Sequence, residues 1–121
     1  MKEKILVVDD DPTILQATLD LLRDEGYEVQ GARNGREALG ALLGEPDLIL
    51  MDLMMPVMDG QELLRTVREC ERYQGTPLIV MSAGVHLAAM AAVYGATWLQ
   101  KPFGMEGLLA AVTSSLQPAA S

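Results

Sequence analysis

Short apolar runs recur along this chain, and between them lie stretches whose apolar residues return at helical spacing. Lys4-Ile-Leu-Val-Val8 is β-branched and uninterrupted, as a strand buried on both faces requires. It closes on three acids, Asp9, Asp10 and Asp11. Pro12 suits the first position of a helix, and Ile14, Leu15, Leu19, Leu21 and Leu22 give that helix a broad apolar face up to Gly26. Tyr27 to Ala32 reads as a second strand. Asn34-Gly-Arg-Glu37 has the spacing of a capping box, opening a helix through Ala38, Leu39, Leu42 and Leu43 that Gly44 and Pro46 stop.

The third run, Asp47 to Asp52, is again apolar and again ends on an acid. Asp59-Gly-Gln-Glu62 repeats the capping-box spacing and opens a helix carrying Leu63, Leu64 and Val67. Leu78 to Met81 makes the fourth strand. Leu87 to Tyr94 is rich in helix formers and is ended by Gly95, Trp98 to Gln100 forms a short fifth strand, and a last helix covers about Met105 to Leu116. Five buried strands alternating with five helices predict an open α/β sheet, because parallel neighbours need helical crossovers.

The chain of 121 residues, half of them hydrophobic, is expected to form one domain over residues 1–121. Its core is expected at about 3–116, with 117–121 a tail or the start of a linker. Cys70 is the single cysteine and cannot close an internal bridge. No charged-then-apolar signal segment opens the chain, so a cytoplasmic setting is expected. A formal net charge of -8 argues against direct nucleic-acid binding, which needs clustered Lys and Arg. From Thr76 to Gln100 no residue is formally charged, yet Pro77, Ser82, Gly84, His86 and Gly95 divide that stretch below the roughly 20 apolar residues of a membrane span.

In open α/β sheets ligands bind beyond the carboxyl ends of the strands, and there the unusual residues collect. Asp9 and Asp10 follow strand one, Asp52 ends strand three, Ser82 follows strand four and Lys101 follows strand five. Carboxylates gathered at one edge repel one another unless a cation neutralises them, and oxygen ligands suit magnesium. Such an ion would offset charge on an incoming phosphoryl group, whose oxygens Lys101 and Ser82 are placed to bind, with Asp52 as the nucleophile. Asp11 and Asp59 are better read as helix caps. His86 has no neighbouring Cys or His, so no zinc site is expected, and the methionines read as packing.

These residues fall in recognisable strings. Val7-Val8-Asp9-Asp10-Asp11-Pro12, Asp52-Leu-Met-Met-Pro56-Val-Met-Asp59-Gly60, Met81-Ser82-Ala83 and Lys101-Pro102-Phe103 together resemble the receiver domains of two-component response regulators, in order and over almost the whole chain. The resemblance implies a flavodoxin-like fold, a five-stranded parallel sheet of order 2-1-3-4-5 with five helices on its two faces. It implies magnesium held by Asp9, Asp10, Asp52 and the backbone carbonyl of Met54. It further implies that Asp52 accepts phosphate from a histidine kinase or phosphotransfer protein, that Lys101 binds the phosphoryl oxygens before a cis bond to Pro102, and that Ser82 and Trp98 act as the switch pair. The domain would not be an enzyme beyond its own phosphorylation and dephosphorylation.

Several features depart from the family pattern. Ser82 and Lys101 lie 19 positions apart, fewer than is usual, and Trp98 replaces a smaller aromatic. Met54 and Gly84 occupy the two positions that tune phosphoryl loss, and neither side chain can hydrogen-bond an attacking water, so slow self-dephosphorylation is expected. Of 9 Lys and Arg and 17 Asp and Glu, only Lys101 and Glu106 lie beyond Gly84. The fourth helix, fifth strand and fifth helix, the usual partner face of receivers, would therefore be almost uncharged. A homodimer or constitutive protein partner is expected there.

Three other functions compete. Asp9-Asp10-Asp11-Pro12-Thr13 fits the Asp-x-Asp-x-Thr motif of haloacid-dehalogenase-type phosphatases, but downstream of Lys101 only Glu106 is acidic, where those enzymes need a pair. A receiver-like interaction module that no longer uses phosphate would not need the full set of acids, Ser82 and Lys101. A flavin-binding module would want a Ser/Thr/Gly-rich loop where three aspartates stand.

Overall fold

The computed structural model describes residues 2–52, 59–82, 92–101 and 103–116. Five strands, β1 (Lys4–Val8), β2 (Glu28–Ala32), β3 (Leu48–Asp52), β4 (Leu78–Ser82) and β5 (Thr97–Gln100), form one parallel sheet in the order β2-β1-β3-β4-β5. The expected order and direction are both found. β3 and β4 are buried along their whole length, which explains why they read as unbroken apolar runs.

Alternation along the strands separates two cores. Leu6, Val8, Ile49, Met51, Leu78 and Val80 face α2 (Gly35–Ala41) and α3 (Asp59–Glu69), meeting Ala38, Leu42, Leu64 and Val67. Ile5, Val7, Leu48, Leu50, Ile79 and Met81 face the other way, onto Leu15, Leu19 and Leu22 of α1 (Pro12–Asp24) and Leu108 and Val112 of the C-terminal helix (Met105–Leu116). Each face of the sheet is thus covered by helices, as a parallel sheet demands.

The first helix starts as its residues dictate. Asp11 caps it, accepting the main-chain N–H groups of Thr13 and Ile14 at 2.9 and 3.2 Å, with Pro12 next in line. Asn34 caps α2 through the N–H of Glu37 at 2.8 Å, but the return bond of Glu37 reaches the N–H of Arg33, one residue before the cap. α2 ends at Ala41 rather than running on, because Leu42–Gly44 tighten into a 3-10 turn and Glu45 enters the left-handed region at φ 54. β2 begins at Glu28, not Tyr27, since Gly26 at φ 96 still belongs to the turn that ends α1. Ile14, assigned to the apolar face of α1, is 45% exposed.

Four α-helices lie among the described residues. The expected helix from Leu87 to Tyr94 falls mostly outside them, although Ala92 and Val93 are helical and Gly95, at φ 68, ends the segment as anticipated. α3 begins at Asp59 itself, and the capping expected of that side chain lies outside the described residues. The C-terminal helix needs only one face for the core. Ala110, Thr113 and Ser114 on its opposite side are exposed and uncharged.

Candidate phosphoacceptor and metal site

The parallel register brings the carboxyl ends of the strands level. Val8 pairs with Ala32 and Met51, Asp52 with Met81, and Ser82 with Gln100, so the residue after β1, the end of β3, the end of β4 and the residue after β5 share one edge. Main-chain bonds extend the ladders into the site: the N–H of Asp9 donates to Ala32 O at 3.0 Å, and that of Lys101 to Ser82 O at 2.9 Å. The polar residues are therefore positioned by sheet geometry.

Asp9, Asp52 and Ser82 are the buried polar residues of the described structure, only 1%, 5% and 0% exposed. Asp10 is exposed. The carboxylates of Asp9, Asp10 and Asp52 each offer an oxygen such that all three lie within 4.8 Å of one another. Lys101 reaches in from β5, its Nζ donating to Asp52 Oδ2 at 2.9 Å. One oxygen of Asp9 accepts the N–H of Asp11 at 3.0 Å, while the other, Oδ2, is buried without a hydrogen-bond partner among the described residues.

Burial holds the Asp9 carboxyl above its usual range, and the negative charge of Asp52 and Asp10 adds to this; the Asp11 N–H and the Lys101 charge oppose it. A buried carboxylate oxygen with no donor, beside two further carboxylates, is the arrangement that a hard divalent cation satisfies. The residues present therefore fit magnesium.

Asp9, Asp10, Asp52, Ser82 and Lys101, all expected at this edge, are all there. Met54, Pro102, Gly84 and His86 lie outside the described residues. Trp98 lies in β5 opposite Val80, packed half-buried against the first core, with its indole Nε1 buried and unbonded among the described residues. One residue to which the sequence assigned no role stands out. Arg68, in α3, donates to four main-chain carbonyls, and no residue type flanking it advertises such partners.

The family model for the response regulator receiver domain matches residues 5–113. The chain belongs to the receiver domains of response regulators. Receiver domains are the phosphoacceptor modules of two-component signalling, and relatives of this one include the response regulator MprA of Mycolicibacterium vanbaalenii, 36% identical over 97% of the chain, and the DNA-binding response regulator MtrA of Mycolicibacterium smegmatis, 34% identical. The receiver chain spans 52% of the length of each. Among solved structures, the chemotaxis protein CheY4 of Vibrio cholerae superposes with a TM-score of 0.88 at 38% identity, covering 96% of this chain and 100% of its own. The response regulator TrrA of Thermotoga maritima, in complex with Mg(2+)-BeF, superposes at 0.83 with 32% identity, covering 94% and 99%.

Proposed function

We propose that Asp52 accepts a phosphoryl group in a magnesium-dependent reaction, and that the observation carrying this is the Asp9, Asp10 and Asp52 cluster with Lys101 bonded to Asp52. Asp9, Asp10 and Asp52, with the Met54 carbonyl as a further ligand, would hold magnesium there, and the ion would supply positive charge against the carboxylates and an incoming phosphoryl group. Asp52 then forms a bond from a carboxylate oxygen to phosphorus as the phosphorus–nitrogen bond of a kinase phosphohistidine breaks. The imidazole leaves with that electron pair and takes a proton from solvent. Lys101, already within hydrogen-bond distance of Asp52, binds phosphoryl oxygens, and the Ser82 hydroxyl, at the end of the neighbouring strand, binds another.

The chain's own chemistry is limited to gaining and losing this group. Its donor is a histidine kinase or a phosphotransfer protein, its setting cytoplasmic. Among the described residues no helix is long and apolar enough to cross a membrane. Asp11 speaks against the phosphatase reading, since both of its capping bonds commit it to the start of α1 and away from the metal cluster. Incubation with magnesium and acetyl phosphate should add one phosphoryl group to the intact mass of the wild type and none to Asp52→Asn. Labelling that survives in Asp52→Asn and vanishes in Asp9→Asn would favour the phosphatase instead.

Output is proposed to pass through the face of β5 and the C-terminal helix, to a second copy or a constitutive protein partner rather than to nucleic acid. Thr97, Gln100, Ala110, Thr113 and Ser114 are exposed there, with Met105 61% and Val93 79% exposed nearby. On a chain of net charge -8, two copies meet least repulsion where charge is nearly absent. Sedimentation at high concentration should show a dimer, with or without a phosphoryl mimic; a monomer under both conditions contradicts this.

A further inference from the structure

Arg68 occupies the last turn of α3. Every hydrogen bond it makes among the described residues goes to a main-chain carbonyl: Nε to Tyr94 O at 2.6 Å, and Nη1 to Tyr73 O, Gln74 O and Thr76 O at 3.2, 3.0 and 2.8 Å. The last three carbonyls belong to the connection between α3 and β4. The first belongs to the turn that feeds β5, where Gly95 is left-handed and its N–H bonds to Ala92 O at 3.0 Å. A guanidinium therefore ties the entry of β5 to the rigid α3 side of the sheet through charge-assisted bonds.

Among the described residues, β5 is otherwise held by its pairing with β4 and by the half-buried Trp98 and Leu99. It is four residues long, lies at the sheet edge, pairs only with β4 and buries no residue fully. Its exit is held by the Lys101 bond to Asp52, so the strand is pinned at both ends. Trp98 lies between the pins, sharing the first core with Tyr94, Ala96 and Cys70. Its buried, unbonded indole N–H is an unfavourable feature that this packing retains. Something must hold β5 in an arrangement that leaves that donor unsatisfied.

We propose that Arg68 is a positioning residue that holds β5 and Trp98 in the packing belonging to unmodified Asp52. Resting on the phosphoacceptor reading, this makes Arg68 an opponent of the phosphorylated state. A contact made in one of two packings disfavours whatever stabilises the other, and the coupling is reciprocal. None of these Arg68 hydrogen bonds reaches Asp52 or the metal cluster, so its effect on the site runs through Tyr94 and β5.

The test is calorimetric titration of beryllofluoride, a phosphoryl stand-in, in excess magnesium, with emission of the sole tryptophan recorded in parallel. R68M should bind roughly five-fold tighter or more, the lower end of ordinary coupling between sites. Its emission before titration should already lie toward that of the bound wild type. R68K, which keeps the charge and can make only part of the clamp, should shift less in the same direction, and it carries the test if R68M does not fold. A folded variant that binds as wild type does, or more weakly, overturns the inference. Absence of binding by the wild type itself would overturn the phosphoacceptor reading instead.

Discussion

Asp9→Asn is expected to stabilise the magnesium-free protein while removing most magnesium-supported phosphorylation. The Asp9 carboxylate is buried, lies beside two other carboxylates, and has one oxygen with no donor, so its charge costs stability unless a cation is bound. Neutralising it should recover about 1–3 kcal/mol, the scale of one unsatisfied buried polar group. Phosphorylation by acetyl phosphate should fall by at least the ~10–100-fold that loss of a metal's outer-shell partner costs, since here a ligand itself is lost.

The pH dependence has a defined sign. Because burial raises the folded pKa of Asp9 above its ordinary value of 3.8, the folded state holds the proton more tightly. Stability contributed by this group is fully present below the unfolded pKa and is lost as pH rises through the folded one. Urea titrations of the magnesium-free wild type should show that loss, and Asp9→Asn should not. Magnesium at neutral pH should restore the wild type. Equal destabilisation of the variant at every pH would contradict this account of the site.

Lys101→Met is expected to cost about 1–3 kcal/mol without magnesium and much less with it. The pair it breaks joins a lysine side chain 28% exposed to an aspartate side chain 7% exposed, leaving a nearly buried carboxylate beside Asp9 and Asp10. A bound cation supplies the missing positive charge. It does not supply the donor to the phosphoryl oxygens, so the phosphorylation rate should still fall by about 100-fold, the scale of one lost transition-state donor. Unfolding with and without magnesium and the rate of mass gain measure the two effects. A stability loss unchanged by magnesium would contradict the charge-balancing role of Lys101, and an undiminished rate would contradict its role toward the phosphoryl oxygens.

The sheet and its acidic edge were legible because both rest on residue type and position. Leu48 to Met51 is apolar because it is covered on two faces, and the acids stand at strand ends, where a parallel register makes them converge. What stayed illegible depends on main-chain partners. The four carbonyls around Arg68 and the bond from the buried Tyr73 hydroxyl to Leu42 O at 2.9 Å leave no mark in the side chains that surround them. Local turn chemistry was hidden for a similar reason. Leu42 and Leu43 suit a continuing α-helix, yet the chain tightens there and leaves Leu43 75% exposed. Trp98 was readable as a core aromatic, but its unbonded Nε1 emerges only once its neighbours are placed.

The most direct measurement locates the phosphoryl group chemically. After labelling with acetyl phosphate and magnesium, borohydride reduces an acyl phosphate to the alcohol, converting a phosphorylated aspartate to homoserine. Peptide sequencing by tandem mass spectrometry should then find homoserine at position 52 and unmodified aspartate at Asp9, Asp10 and Asp11. Homoserine at position 9 with Asp52 intact, or no conversion in a protein that binds magnesium, would contradict the assignment of Asp52 as the phosphoacceptor.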